Sequence, residues 1–127
     1  MQNRVPDSHV RRSVYVVVLT IGLWLHCASA AIPASERDAL ISLYTSTNGD
    51  TWIYNTGWCS GACPKAGTAT FSAAGTECAW PGIVCDAAKA HVTQISIRDN
   101  NLTGSLPSLN GLPALQHVDL FDNHIAG

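Results

Sequence analysis

Apolar, asparagine and glycine positions recur with one spacing over residues 92–127 of this 127-residue chain. When Val92–Gly104 is moved along the chain onto Leu115–Gly127, the apolar residues Val92, Ile95, Ile97 and Leu102 fall on apolar residues, and Asn100 and Gly104 fall on Asn123 and Gly127. We call the separation of Val92 from Leu115 the repeat offset. The second copy stops at Gly127, where the first copy continues. We therefore expect the chain to be the opening part of a longer protein.

Each copy contains a short stretch in which apolar and polar residues alternate. This alternation predicts a strand with one buried face, and a period of roughly 20–29 residues with this spacing is typical of leucine-rich repeats. Burial of one aliphatic side chain contributes about 1.5–3 kcal/mol. The side chains expected to face the interior are Ile95, Ile97, Leu102, Leu106, Val118, Leu120 and Ile125.

Polar and special residues mark the point where each strand ends. Asn100 and Asn123 are expected to satisfy backbone groups that the bend leaves unpaired, and stacked copies would form an asparagine ladder. Gly104 allows a backbone conformation that a side chain would resist. Since a single repeat cannot bury its own apolar face, the residues upstream must help to support it.

The start of the chain, residues 1–30, predicts a secretory signal peptide that is cleaved after Ala30. Val14–Leu25 is an apolar run that follows a basic start, and Ala28–Ala30 has the small residues of a cleavage site. The alternative is an uncleaved anchor, but a membrane span needs about 20 apolar residues. We expect a secreted or cell-surface protein, and Cys27 is removed with the signal.

Residues 31–90 predict a cap that begins with a helix over Ile32–Ser46. Ser35 is the expected N-cap, with Asp38 three residues later, and Asn48–Gly49 is a stop signal. The apolar face of this helix is expected to contain Ala39, Leu40, Leu43 and Tyr44.

An aromatic group follows the helix, and two interpretations of it remain open. The large side chains can close the first turn of the repeat structure, which we favour, or they can form a sugar-binding platform. Residues 59–77, rich in Gly, Ala, Ser and Thr, predict a loop-like insertion with little core of its own. The aromatic residues of this group are Trp52, Tyr54, Trp58 and Trp80.

Four cysteines remain in the predicted mature chain: Cys59, Cys63, Cys78 and Cys85. An even number in an exported chain indicates two disulfides, for which three pairings exist. A four-cysteine zinc site is the alternative, but its usual C-x2-C spacing is missing. Oxidation during export also favours disulfides.

Several motifs together resemble the N-terminal cap and first repeats of plant-type leucine-rich-repeat proteins. The residues that carry this resemblance lie in Glu36–Tyr44, Asn48–Trp52, Cys78–Cys85 and Asn100–Pro107. The resemblance implies an α/β fold that starts a right-handed solenoid, or horseshoe, with a helical, disulfide-bonded cap. It also implies a disulfide that matches Cys78–Cys85, which leaves Cys59 and Cys63 as the second pair.

The resemblance also implies an extracellular recognition function. Members of the family include receptor-like kinase ectodomains, secreted inhibitors, and surface proteins of algae and protists. The insertion at 59–77 departs from the land-plant pattern, so the chain resembles the algal or protist surface proteins more closely. The domain organisation we expect is a signal peptide at 1–30, the cap at 31–90 and the repeats at 91–127.

In this family, outward residues of the strands meet protein or glycan partners. The repeat offset places Gln94 beside His117, Ser96 beside Asp119 and Arg98 beside Phe121. We call these six residues the outward face; Asp99 and Asp122 follow them. Asn101 begins an Asn-Leu-Thr sequon, so a glycan on Asn101 is possible in a eukaryotic cell.

Charge and motifs exclude several other functions. The mature part has four basic and eight acidic side chains, a formal net charge of −4, and no basic patch. This balance argues against a nucleic-acid partner. The sequence has no phosphate loop or metal motif, so we expect no cofactor and no metal.

Enzymatic activity is not expected, although His117 and Asp119 resemble a base and its orienting carboxylate, because no nucleophile accompanies them. Membrane association would come only from sequence beyond Gly127. Two alternatives to a recognition module remain: a carbohydrate-associated wall or coat protein that uses the tryptophan group, and a truncated product with no function of its own.

Overall fold

A computed structural model of the protein describes residues 31–61, 63 and 70–126. The predicted signal peptide lies outside these residues, as does the middle of the insertion. No helix in the described part of the chain is both long and apolar enough to cross a membrane. The elements are helix α1 (Ala34–Ser46), the single-turn 3-10 helices Gly49–Thr51 and Glu77–Ala79, and strands β1 (Ile83–Cys85), β2 (Val92–Ser96) and β3 (His117–Asp119).

Helix α1 begins later than the sequence suggests, and Ser35 does not cap it. The N-cap residue of the helix is Pro33, and no side chain forms a capping hydrogen bond at this end. The carbonyl of Pro33 accepts hydrogen bonds from two first-turn N–H groups, at 3.0 and 3.2 Å. Because the helix already begins at Ala34, Ser35 lies within the first turn and cannot serve as its cap.

The buried face and the end of α1 agree with the sequence pattern. Leu40, Leu43 and Tyr44 are buried in the core. Asn48 adopts a left-handed conformation with φ of 56°, and the next residue must approach the helix closely. A Cβ atom on Gly49 would lie 2.3 Å from the Tyr44 ring, so only glycine fits without displacing that ring.

Three tryptophans form the centre of residues 31–90, for which we keep the name cap. Trp52, Trp58 and Trp80 are all buried, and the ring centroid of Trp58 lies 5.1 Å from that of Trp52 and 4.8 Å from that of Trp80. A sugar platform needs an accessible ring face. The sugar-platform interpretation is therefore wrong for these three residues, and the interpretation as a plug agrees with their burial.

Tyr54 is not part of this plug. Its side chain is 66% exposed, whereas Tyr44 and Phe71 lie against the tryptophans instead. The Tyr44 ring is 5.8 Å from Trp58, and the Phe71 ring is 6.2 Å from Trp80. We use the name aromatic plug for Tyr44, Trp52, Trp58, Phe71 and Trp80.

The ends of the insertion contribute more to the core than its composition suggests. Cys59 is buried, and Phe71 packs against the core. Backbone hydrogen bonds join Ser60 to Thr70 at 2.8 Å and Ser72 to Trp58 at 2.9 Å. The two ends of the insertion therefore lie side by side.

The four cysteines form two disulfides, Cys59–Cys63 and Cys78–Cys85. The Cα atoms are 5.2 and 5.6 Å apart, within the usual range for disulfides. A four-cysteine zinc site is therefore wrong. The second disulfide joins the 3-10 turn at Glu77–Ala79 to β1, next to the buried Trp80.

The three strands form one sheet in the order β1-β2-β3. β1 and β2 are antiparallel, whereas β2 and β3 are parallel, with Ile95 opposite Val118. This parallel register equals the repeat offset between the two copies. The repeated spacing therefore predicted which residues of β2 and β3 are neighbours.

Burial of the predicted interior positions decreases from the first copy to the second. Ile95, Ile97 and Leu102 are buried, while Leu120 and Ile125 are half-buried against the core. Val118 and Leu106 were expected inside, but they are 41% and 40% exposed. β3 is the outer strand of the sheet, so a neighbouring strand covers Val118 on one side only. Likewise, no further layer of the described chain covers Leu106.

Candidate interaction surface

The cap is joined to the first copy by the carbonyl groups that end α1. Ser46 accepts a hydrogen bond from the N–H of Ser105 at 3.3 Å, and Thr47 accepts one from Thr103 at 3.1 Å. The last carbonyls of a helix need such partners. Gly104 lies between the two donors with φ of 80°, and a Cβ atom there would be 2.3 Å from the Ser46 oxygen. Glycine thus allows the copy to approach the cap.

Two asparagines join neighbouring segments: Asn100 joins the first copy to the cap, and Asn123 joins the second copy to the first. The Asn100 amide exchanges two hydrogen bonds with the backbone of Tyr54 in the cap. One level further, Asn123 accepts from the N–H of Leu102 at 2.9 Å and donates to the carbonyl of Ile97 at 2.7 Å. The prediction that these amides satisfy backbone groups left unpaired at the bend is confirmed for Asn123, whereas Asn100 satisfies the backbone of Tyr54 instead.

A buried carboxylate also ties α1 to the start of β2. Glu36 is 1% exposed and accepts from the N–H of Val92 and from Nδ1 of His91, both at 2.7 Å. The hydrogen bond to Glu36 raises the pKa of His91, assisted by the charges of Glu36 and Asp86. The sequence pattern did not reveal this long-range role of Glu36.

The outward face lies on β2, β3 and the residues just after them. The register places Gln94 opposite His117 and Ser96 opposite Asp119. Arg98 lies over the Phe121 ring, with its guanidinium carbon 5.9 Å from the ring centroid. All three predicted neighbour pairs are thus brought together.

One carboxylate organises the exposed end of the outward face. Asp119 accepts a hydrogen bond from Nε of Arg98 at 2.6 Å and one from the N–H of Phe121 at 3.2 Å. The hydrogen bond from Arg98 holds the pKa of Asp119 below its ordinary value. The same contact raises the pKa of Arg98, so both groups stay charged at neutral pH.

The ion pair between Arg98 and Asp119 was not predicted, although the sequence contained a signal for it. The repeat offset aligns Arg98 with Phe121, so Asp119 is the diagonal neighbour two positions earlier on the same side. Opposite charges at diagonal positions of adjacent strands are within reach of long side chains. His117, which was considered as a partner of Asp119, donates no hydrogen bond to this carboxylate.

Two further exposed side chains adjoin the outward face. Val84 in β1 pairs with Gln94, and Tyr54 shares a small cleft of about 160 Å³ with Ser96 and Arg98. Val84 could have been recognised, because it alternates with the buried Ile83. Tyr54 could not, because its exposure depends on how the cap turns at Asn100.

A second, larger cleft lies at the rim beyond the strands. It has a volume of about 470 Å³, and we call it the rim cleft. Ile53 is 61% exposed there, and Nδ2 of Asn101 donates to the carbonyl of Thr51 at 3.2 Å. The residues that line the rim cleft are Ile53, Asp99, Asn101, Asp122 and His124.

The described residues around the two clefts are not placed to form a metal centre. Among residues 31–61, 63 and 70–126, no group of three or more His, Cys, Asp or Glu side chains is placed to hold a metal ion. What the outward face does offer is a guanidinium that Asp119 holds over the exposed ring of Phe121. This arrangement is suited to contact with another molecule.

Comparison with known proteins supports the type of protein that the repeats indicate. Over 119 aligned residues, the chain is 32% identical to a probable leucine-rich repeat receptor-like serine/threonine-protein kinase of Arabidopsis thaliana. The alignment covers 89% of this chain but 11% of that protein, so the chain spans about a tenth of the length of its relative. No protein-family model matches the chain. The similarity supports a protein of the leucine-rich-repeat type.

Proposed function

We propose that this chain is the N-terminal part of an extracellular recognition module that binds a protein partner through the outward face. The observation that carries the proposal is the position of Arg98. Its guanidinium is exposed, paired with Asp119 and placed over the exposed ring of Phe121. The similarity to a receptor-like protein agrees with this function.

The side chains of Arg98, Asp119 and Phe121 together favour the binding of a partner. Arg and aromatic side chains are over-represented among the residues that contribute most to protein interfaces. Asp119 holds Arg98 in place before a partner arrives, and a side chain already fixed loses less entropy on binding. Phe121 is 64% exposed, so a partner that covers the ring would gain the free energy of burying apolar surface.

We also propose the architecture from which this surface is built. The parallel register of β2 and β3, together with the amide contacts of Asn100 and Asn123, supports the start of a right-handed leucine-rich-repeat solenoid. Residues 31–90 form its cap, and residues 91–127 form its first repeats. The extra disulfide Cys59–Cys63 in the insertion favours the algal or protist surface-protein type over land-plant receptors.

The location of the protein belongs to the same proposal. Residues 1–30 would direct the chain to the outside of the cell or to its surface. We continue to expect no enzymatic activity and no cofactor in this chain.

Photo-crosslinking from the outward face tests the proposal. Phe121→p-benzoylphenylalanine places a reactive group at the centre of the proposed contact. Ser42→p-benzoylphenylalanine places the same group on the exposed side of α1 and serves as the matched control. We expect one surface protein of the source cells to be crosslinked from position 121 and not from position 42.

Binding of the purified partner then decides the role of Arg98. Truncation of a residue central to an interface costs about 2 kcal/mol or more, so Arg98→Ala should weaken the affinity at least tenfold. His117→Ala, at the other end of the outward face, should weaken it less. A crosslink that forms equally from both positions, or an affinity unchanged by Arg98→Ala, would contradict the proposal.

A further inference from the structure

The rim cleft joins an exposed apolar side chain to a sequon. Ile53 and Asn101 line the same cleft, and Ile53 is among the most exposed large apolar residues of the described chain. Covering a branched aliphatic side chain that is exposed to water stabilises the protein, because apolar surface is removed from water. The amide of Asn101, in the same cleft, is a group able to carry such a cover covalently.

The sequon is well placed for modification in the folded protein. Asn101 has a left-handed backbone conformation with φ of 59°, and its side-chain contact is at the surface. Leu102 in the middle of the sequon points into the core, so the neighbouring Asn101 is directed away from it. Thr103 also lies at the surface, where its hydroxyl accepts a hydrogen bond from Asn48 at 2.7 Å.

The lining of the rim cleft matches the chemistry of a sugar ring. Carboxylates accept hydrogen bonds from hydroxyl groups, and an imidazole can donate or accept. Asp99, Asp122 and His124 supply these groups around Ile53. An apolar side chain and polar groups in one cleft fit a pyranose, which has an apolar face and a polar edge.

We propose that Asn101 carries an N-linked glycan whose first N-acetylglucosamine lies in the rim cleft over Ile53. This inference rests on the proposed extracellular location, because the modification occurs in the secretory pathway. A new bond joins Nδ2 of Asn101 to C1 of the sugar. The bond from C1 to the diphosphate of a lipid-linked oligosaccharide donor breaks, and the amide loses one proton. The remaining N–H can still donate to Thr51.

A glycan at this position leaves the outward face open. The residues of the rim cleft do not include Arg98 or Phe121, although Asp99 and Asp122 directly follow them. The sugar would therefore border the proposed binding surface without covering it. It would also limit contact between other molecules and Ile53.

Intact mass measurement tests the modification itself. The full chain, with its own residues 1–30, is expressed in human cells that keep N-glycans in the high-mannose form, and the secreted protein is analysed. We expect one glycan on the unmodified sequence and on Thr103→Ser, which retains the sequon. Thr103→Ala and Asn101→Gln should lose it. A chain that stays in the cytosol, or that is secreted without a glycan, would overturn the proposal.

A thermodynamic cycle tests whether the first sugar covers Ile53. Endoglycosidase H trims the glycan to a single N-acetylglucosamine, and this form is compared with Asn101→Gln. We expect the single sugar to raise Tm by on the order of 3 °C, since 1 kcal/mol shifts Tm by about 4–8 °C in a small domain. In the Ile53→Ser background, the increase should fall by at least half. An equal increase in both backgrounds would show that the sugar does not contact Ile53.

The two proposals fail in different ways. Loss of the glycan changes the mass and the Tm cycle, whereas failure of the recognition function changes the crosslink from position 121. A glycosylated protein with no partner contradicts only the recognition function. A partner that crosslinks to the chain without a glycan contradicts only the site on Asn101.

Discussion

The cap and the outward face each contain an arginine that pairs with a carboxylate and lies over an aromatic ring. In the cap, Arg37 pairs with Glu77 and lies 5.3 Å from the Trp80 ring. On the outward face, Arg98 pairs with Asp119 and lies 5.9 Å from the Phe121 ring. The chemistry is nearly the same, but the burial differs.

Burial decides what each group can do. Glu77 and Trp80 are buried, and Arg37 also donates to the carbonyl of Ser72 at 2.7 Å, so this group joins α1 to the insertion. Attraction between charges is stronger where water is excluded, and a missing partner is more costly there. On the outward face, Arg98 and Phe121 are exposed to water, so their contact contributes little to folding and remains available to a partner.

The largest expected effect separates the aromatic plug from the exposed tyrosine beside it. Trp58→Ala removes a fully buried ring that contacts two other tryptophans, and it should reduce the free energy of unfolding by about 3–5 kcal/mol. Tyr54→Ala removes an exposed ring and should change it by about 0.5 kcal/mol. Urea unfolding followed by tryptophan fluorescence measures both. Similar losses in the two variants would contradict the assignment of Tyr54 to the surface.

The next effect compares the two arginines directly. Arg37→Ala leaves Glu77 buried without its ion-pair partner and should cost about 3 kcal/mol. Arg98→Ala breaks an exposed pair and should leave the free energy of unfolding nearly unchanged. The same unfolding experiment measures both losses, and Arg98→Lys serves as a control that retains charge. If Arg98→Ala were as destabilising as Arg37→Ala, the outward group would be structural.

Reduction of the disulfides should have a somewhat smaller effect, confined to the cap. The disulfide Cys78–Cys85 closes only a short loop. Removing this disulfide by the double change Cys78→Ser and Cys85→Ser should therefore reduce the free energy of unfolding by about 2–3 kcal/mol. Thermal unfolding with and without strong reductant makes the same test on the natural chain. Unchanged melting in reductant would contradict a stabilising role for the two disulfides.

The smallest expected effect is a pH dependence that arises at the joint between the cap and β2. The hydrogen bond to Glu36 raises the pKa of His91 above its ordinary value of 6.5, so the folded protein binds a proton there more tightly than the unfolded chain. The resulting stability is fully present below pH 6.5 and is lost as the pH rises through the folded value.

Melting temperatures between pH 5.5 and about pH 9 measure this effect. The difference in Tm between the natural chain and His91→Gln should be largest at the acidic end and should shrink as the pH rises. His117→Gln, which removes an exposed imidazole on the outward face, is the matched control and should leave the pH dependence of Tm in place. A difference for His91→Gln that does not vary with pH would contradict the proposed contact with Glu36.

The features that the sequence predicted are those set by local spacing. The repeat offset determined which residues of β2 and β3 are neighbours, because parallel strands of successive repeats align equivalent positions. The asparagine contacts followed for the same reason, since Asn123 occupies in the second copy the place that Asn100 occupies in the first. The buried face of α1 followed from its helical period.

The features that only the tertiary structure decided depend on residues far apart in the chain. Glu36 meets His91 and Val92 because the helix is packed across the start of β2, and no spacing within either segment reveals this contact. Arg37 and Glu77 find each other in the same way. The exposure of Tyr54 was also decided by packing, because in the sequence Tyr54 gives the same aromatic signal as the buried Trp52 and Trp58 on either side of it. The turn held by Asn100 directs Tyr54 outward, and the position of a backbone in space is a property of the whole fold.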